Sequence, residues 1–308
     1  MPQRRLSAVL LTATLLTALG CSGCVQPQRG PVEVQAPQTQ AQAKKEPPTA
    51  LPNRPDSLKF AVLGDFGDGS GEQYETAAQM ARTHKEFPFE LVITVGDNIY
   101  GSERPQDFVR KFETPYKPLL DAGVKFYASL GNHDAREQRY YKLFNMDGKL
   151  YYSFKPDKQS VRFIALESTY LEPEQIQWLQ KELEGSREDW KIPYFHHPPY
   201  SSGGRHGSHM QHREALEPLF VKFNVSVVFT GHDHIYERTK PQQGIVYFVT
   251  GSGGKLRRGN LDNTGLTAVG YAQDRAFMVC EINGDEMFFN TISRTGQIID
   301  SGVITRRK

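Results

Sequence analysis

Five short apolar runs in this chain each stop at a cluster of side chains suited to holding a metal ion. Residues 59–63 run into Gly64-Asp65, and 91–95 run into Gly96-Asp97-Asn98-Ile99-Tyr100. Residues 125–130 lead to Gly131-Asn132-His133-Asp134, 192–195 to His196-His197-Pro198, and 225–230 to Gly231-His232-Asp233-His234. Short runs rich in Val, Ile, Leu and Phe predict strands buried on both faces. Loops at the carboxyl ends of such strands converge on one rim of a sheet, so ligands distant in sequence can meet there. Carboxylate, phenol, amide and imidazole groups gathered on one rim describe a two-metal site, with the Tyr100 oxygen available to a hard cation.

Longer polar-apolar stretches separate the runs. Residues 73–84, 106–112, 173–183 and 212–223 predict helices; Pro173 suits a first turn, and Ile176, Leu179 and Leu183 share one face. Further strands are predicted over 161–166 and 245–250, and 275–304 alternates enough for two or three antiparallel strands. Periodicity alone therefore gives a mixed α/β domain over 58–308.

The first 57 residues lie outside this pattern. Arg4 and Arg5 precede an uncharged apolar segment over 6–20. It is shorter than the about 20 residues that cross a bilayer as a helix, and it has the shape of a signal peptide over 1–20. Ala18-Leu19-Gly20-Cys21 resembles a bacterial lipobox, which makes Cys21 the expected lipid-anchor site; an ordinary secretory signal cleaved nearby is the alternative. Residues 21–57 are rich in Pro, Gln, Ala and Thr and predict a disordered spacer. The expectation is an exported protein, periplasmic or on the cell surface, anchored to a bacterial membrane. Cys24 and Cys280 are then the remaining cysteines and suggest no disulfide framework. A formal net charge of +2 gives no reason to expect a nucleic-acid partner.

The five clusters, in this order, resemble those of the calcineurin-like metallophosphoesterases and in particular the purple acid phosphatases. In the wider superfamily the first cluster reads Asp-x-His, whereas Gly67 stands at the histidine position here. The purple acid phosphatase pattern supplies a tyrosine just after the second aspartate instead, and Tyr100 stands there. The resemblance implies a two-sheet β-sandwich flanked by helices, with a single catalytic domain over 58–308. Matched residue by residue, it implies Asp65, Asp97, Tyr100 and His234 on one ion and Asp97, Asn132, His196 and His232 on the other, with Asp97 bridging. Donor chemistry agrees independently. Carboxylate and phenolate oxygens suit Fe(III), while imidazole and amide donors suit a divalent Fe, Zn or Mn.

The same resemblance implies a dinuclear acid phosphatase that hydrolyses small phosphate monoesters by in-line attack of a metal-bound hydroxide. His133 resembles the family histidine that contacts substrate and protonates the leaving group, and Asp134 is expected to orient it by accepting its other N–H. His206 resembles a second histidine placed over the substrate. His-x-Pro is the family pattern in the fourth cluster, which leaves His197 as a neighbour of the ligand His196. Lys255, Arg257 and Arg258 read as a solvated charge run, with contact to substrate as the alternative. Two other functions fit the clusters less closely: a phosphodiesterase with two divalent ions, and a non-catalytic lipoprotein that captures phosphate or metal.

Overall fold

The structure, a computed structural model, describes residues 49–308; the expected signal peptide, the Cys21 anchor and the spacer up to residue 48 lie outside the described residues. Strands β1 (Leu58–Leu63), β2 (Leu91–Val95) and β3 (Lys125–Ser129) pair in parallel. Beside β1 the sheet continues antiparallel through β11 (Ala276–Asn283), β12 (Glu286–Ser293) and β13 (Ile298–Thr305). The second sheet holds β4 (Tyr152–Phe154), β5 (Val161–Ala165), β6 (Trp190–Tyr194), β7 (Val227–Thr230), β8 (Tyr236–Thr239), β9 (Val246–Thr250) and β10 (Thr267–Tyr271). Its order is β10-β8-β9-β7-β6-β5-β4, with β5, β6, β7 and β9 parallel.

Neighbouring residues of these strands belong to different cores, as the two-residue period of a strand requires. In β5, Phe163 enters the core between the sheets while Ile164 enters the outer one; Phe248 and Tyr247 divide the same way in β9. Across the inner core, the Phe60 ring of β1 meets Phe163 edge-on at 5.1 Å. The outer core is closed by α4 (Pro173–Gly185) through Leu179 and Leu183 and by α5 (Met210–Lys222) through Leu216 and Phe220. On the first sheet, α1 (Gly71–Glu86) buries Ala77 and Met80. Both faces of both sheets are thus covered where the strands are apolar throughout.

Three departures from the sequence reading have local causes. The helix predicted over 106–112 is α2 (Pro105–Phe108), which widens into a π-type turn at Val109–Glu113 and continues as α3 (Thr114–Asp121). Pro115 and Pro118 hide α3 in the sequence, because proline ordinarily ends a helix. The short strands β4, β8 and β10 lack a run long enough to predict. The expected spacer over 21–57 also ends too late. Thr49 N–H donates to Ser301 Oγ at 2.8 Å, and the Asn53 and Arg54 N–H groups donate to the Glu281 carboxylate at 2.6 and 2.7 Å. Residues 49–57 therefore lie along the sheet, held by a charge-assisted contact that composition does not reveal.

Candidate metal centre

The strands β1, β2, β3, β6 and β7 all end on one rim. Backbone bonds tie these ends together: Asp65 N–H donates to Gly96 O at 3.0 Å, Gly231 N–H to His196 O at 2.9 Å, and Gly253 N–H to Gly64 O at 3.0 Å. The last of these joins the two sheets. At this rim Asp65, Asp97 and His232 adopt left-handed φ values of 54°, 50° and 70°. Such backbone costs of order 1–3 kcal/mol per residue and survives where the surroundings over-determine it, typically at functional sites.

The side chains form two touching groups. In the first, Tyr100 Oη lies 3.0 Å from Asp65 Oδ1 and 3.1 Å from His234 Nε2, and His234 Nε2 lies 3.4 Å from Asp65 Oδ1. In the second, His196 Nε2 lies 3.1 Å from Asn132 Oδ1 and 3.2 Å from His232 Nδ1. Asp97 belongs to both. Its donor atom lies within 4.8 Å of those of Asp65 and His234, and its Oδ1 is 3.4 Å from His196 Nε2. All seven expected ligands are thus brought together.

Their orientations are fixed from behind. His196 Nδ1 lies 2.9 Å from the Val95 carbonyl, which can only accept, so Nδ1 carries the proton and Nε2 presents a lone pair to the centre. Asp65 Oδ2 accepts from His232 N–H at 3.0 Å, and Asp97 Oδ1 accepts from His133 N–H at 2.9 Å. The Tyr100 turn is braced by Lys111, which sits in the π-type turn and donates to the carbonyls of Tyr100 and Ser102 at 2.5 and 2.9 Å.

Burial dominates the electrostatics of this centre. Burial pushes the Asp65 carboxyl well above its usual range, and Asp97 adds to the effect, although His196 opposes it. Burial and then the Asp65 and Asp97 charges raise the Tyr100 phenol. Burial lowers His234 to about 4 and His232 further still. Burial thus disfavours the charged forms of Asp65, Tyr100, His232 and His234 where only protein atoms surround them. A cation reverses the preference for the acids and uses the imidazole lone pairs directly. Oxygen-rich donors around Asp65 and Tyr100, beside a nitrogen and amide group around His196, fit a pair of metal ions.

The expected catalytic residues fall differently. His133 is exposed, with its ring 4.9 Å from the Tyr100 ring. His206 is also exposed, with its ring 4.2 Å from that of His232. Both stand at the rim. Asp134 does not orient His133, and this expectation is corrected. Its Oδ2 accepts from the backbone N–H groups of Asn98 at 3.0 Å and Gly131 at 2.9 Å, and from Asn98 Nδ2 at 3.0 Å. Its Oδ1 accepts from Ile99 N–H at 3.0 Å and Gln138 Nε2 at 2.8 Å. These donors turn the carboxylate away from the imidazole and make it a clamp between two ligand-bearing loops.

Several contributors gave little or no signal in the sequence. His197 is buried, with its ring 4.4 Å from His232 and its Nδ1 3.0 Å from Ser168 Oγ. Ser168 Oγ also accepts from the His196 and His197 N–H groups at 3.2 and 3.0 Å, so one hydroxyl holds the whole histidine pair. Asp233 Oδ2 accepts from Ser201 Oγ at 2.6 Å and Gly207 N–H at 3.1 Å, fixing the loop that carries His206. The adjacent histidines and the His-Asp-His spacing were legible, but their partners come from distant segments.

The chain is similar to known phosphoesterases. The family model of calcineurin-like phosphoesterases matches residues 58–236. Purple acid phosphatase 4 of Arabidopsis thaliana is 30% identical over 274 residues, covering 77% of this chain and 80% of its own. Tartrate-resistant acid phosphatase type 5 of Homo sapiens is 24% identical over 300 residues, covering 82% of this chain and 92% of its own. Among solved structures, purple acid phosphatase PPD1 from yellow lupin (Lupinus luteus) seeds shares the fold, with a TM-score of 0.67 at 19% identity. That likeness covers 83% of this chain and 55% of the lupin chain.

Proposed function

The chain belongs to the calcineurin-like phosphoesterase family, on the purple acid phosphatase-like side of it, and we propose that it hydrolyses phosphate monoesters with Fe(III) paired to a divalent ion. The observation that carries this reading is the Tyr100 hydroxyl, 3.0 Å from Asp65 and 3.1 Å from His234. Phenolate with carboxylate is a donor set for a hard trivalent ion.

Asp65, Asp97, Tyr100 and His234 would hold the ferric ion, and Asp97, Asn132, His196 and His232 the divalent one. When bound, the pair supplies positive charge for the phosphoryl oxygens and a nucleophile at modest pH. The protein's share is placement. Val95 O and Ser168 hold His196, Asp134 holds the Asn98 and Gly131 turns, and Lys111 holds the Tyr100 turn. His133, at the rim beside Tyr100, would give a proton to the departing oxygen. His206, against His232, would contact the phosphate from the other side.

Colour tests the reading. The purified iron-containing protein is expected to show a visible phenolate-to-iron band, absent from Tyr100→Phe at equal iron content. A colourless protein activated by manganese and preferring diesters would overturn it in favour of a two-divalent-metal phosphodiesterase.

We further propose export and anchoring through Cys21, on the strength of Arg4, Arg5, the apolar segment over 6–20 and the lipobox-like Ala18-Leu19-Gly20-Cys21. Incorporation of labelled palmitate, abolished in Cys21→Ser, is the expected result. Secretion of an unlabelled protein would leave an ordinary signal peptide.

A further inference from the structure

The sequence run Lys255-Leu256-Arg257-Arg258 reads as a solvated patch of charge, yet the structure divides it. Arg258 is exposed, while Lys255 and Arg257 are partly buried. Gly254 and Lys255 both donate their N–H groups to the Asp65 carbonyl, at 3.1 and 2.9 Å, which pins the root of Lys255 to the turn bearing a candidate ligand. Lys255 Nζ then stands 4.9 Å from the centre of the Tyr100 ring, with Asp68 Oδ2 3.7 Å away.

Arg257 is held by its own N–H on the His234 carbonyl at 3.0 Å. Among the described residues no carboxylate pairs with its guanidinium, and its Nε is buried without a partner. The loops carrying Arg257 and His206 form one wall, joined by the Gly203–Leu261 bridge and by Asp262 N–H donating to Ser202 O at 2.8 Å.

A guanidinium that no carboxylate occupies keeps its planar fork of donors for another anion, and that fork suits a phosphate. We propose that Lys255 and Arg257 form a subsite for a second phosphate group of the substrate, so that the enzyme prefers bisphosphorylated compounds to simple monoesters. The inference rests on the phosphatase reading above and adds a substrate class to it. The scissile phosphate lies at the metal pair, and the second phosphate reaches the wall between Tyr100 and His206.

The test uses the metal-loaded enzyme with two matched substrates, propane-1,3-diyl bisphosphate and propyl phosphate, which differ in the second phosphate alone. The quantity read is the ratio of their kcat/KM values, with metal content measured for each variant. The wild type is expected to favour the bisphosphate, and Arg257→Met to lower that ratio about tenfold, as loss of one charge-assisted contact implies. Lys255→Met should lower it by a smaller factor, and Arg257→Lys should recover part of the loss. A wild-type ratio no greater than the statistical advantage of carrying two equivalent phosphates, or a ratio unchanged in both methionine variants, overturns the subsite. Hydrolysis of neither substrate by the wild type would instead remove the phosphatase reading itself.

Discussion

The Tyr100 N–H donates to the Gly67 carbonyl at 2.9 Å, and the two turns lie so close that a Cβ on Gly67 would overlap the Asn98 carbonyl oxygen. The absent histidine and the present tyrosine are therefore one structural choice. A side chain at residue 67 would push away the turn that delivers the Tyr100 hydroxyl, so the backbone that lets Tyr100 in keeps the imidazole out. Gly67→Ala should then cost about 1–3 kcal/mol, the usual range for overpacking a tight contact. It should also weaken the visible band of the iron-loaded protein. Chemical denaturation and absorbance together check this; a stable variant with unchanged colour would refute the coupling.

Asp134 should behave as a structural residue. Its carboxylate accepts five N–H bonds from the Asn98, Ile99, Gly131 and Gln138 groups. Asp134→Ala leaves these donors unpaired in a buried place, each at a cost of about 1–3 kcal/mol when water cannot reach it. Asp134→Asn should be only a partial remedy, because its NH2 group faces other donors. Both variants should unfold at lower denaturant and hold less metal, whereas a variant of full stability and metal content but slow turnover would restore the orienting role.

The strand ends were legible because a buried strand is a short apolar run, and each run here stops at a metal-ligating residue type. The clusters holding Asp65, Asp97, Asn132, His196, His232 and His234 could be placed from that alone, whereas the choice of ligand within each cluster, and of Tyr100, rested on the resemblance. What sequence could not supply was direction. Asp134 follows His133 in the chain, but its acceptors are satisfied by a turn 35 and 36 residues earlier. Ser168 and Glu281 act across long separations with no local pattern. Pro115 and Pro118 concealed α3 because proline ordinarily ends a helix.

His133 is exposed beside the centre with its backbone N–H on Asp97. Removing its side chain should leave metal content intact and reduce kcat by about 10²–10⁴ for an alkyl phosphate, the range of general acid catalysis. The loss should shrink for p-nitrophenyl phosphate, whose leaving group departs without a proton. Equal losses on both substrates would assign His133 to phosphate binding and not to proton transfer.

Away from the centre, Glu188 ties β5 to the loop before β6. Burial alone would raise its carboxyl above the usual 4.5, but bonds from Arg162, Ser186 and Lys155 outweigh that and hold it at about 2. Arg162 Nε donates at 2.9 Å, Ser186 Oγ at 2.7 Å, and Lys155 Nζ lies 3.2 Å away. A carboxyl whose folded pKa lies below its unfolded value stabilises the fold fully above the unfolded value. That contribution fades as pH falls from about 4.5 towards 2. The Tm of Glu188→Gln should therefore trail the wild type most at neutral pH, with the gap closing across that acidic window. An enzyme working in mildly acidic medium would keep most of this contribution, because its working pH lies above the window. A gap that stayed constant down to the bottom of the window would show that the Arg162 contact acts through packing and not through charge.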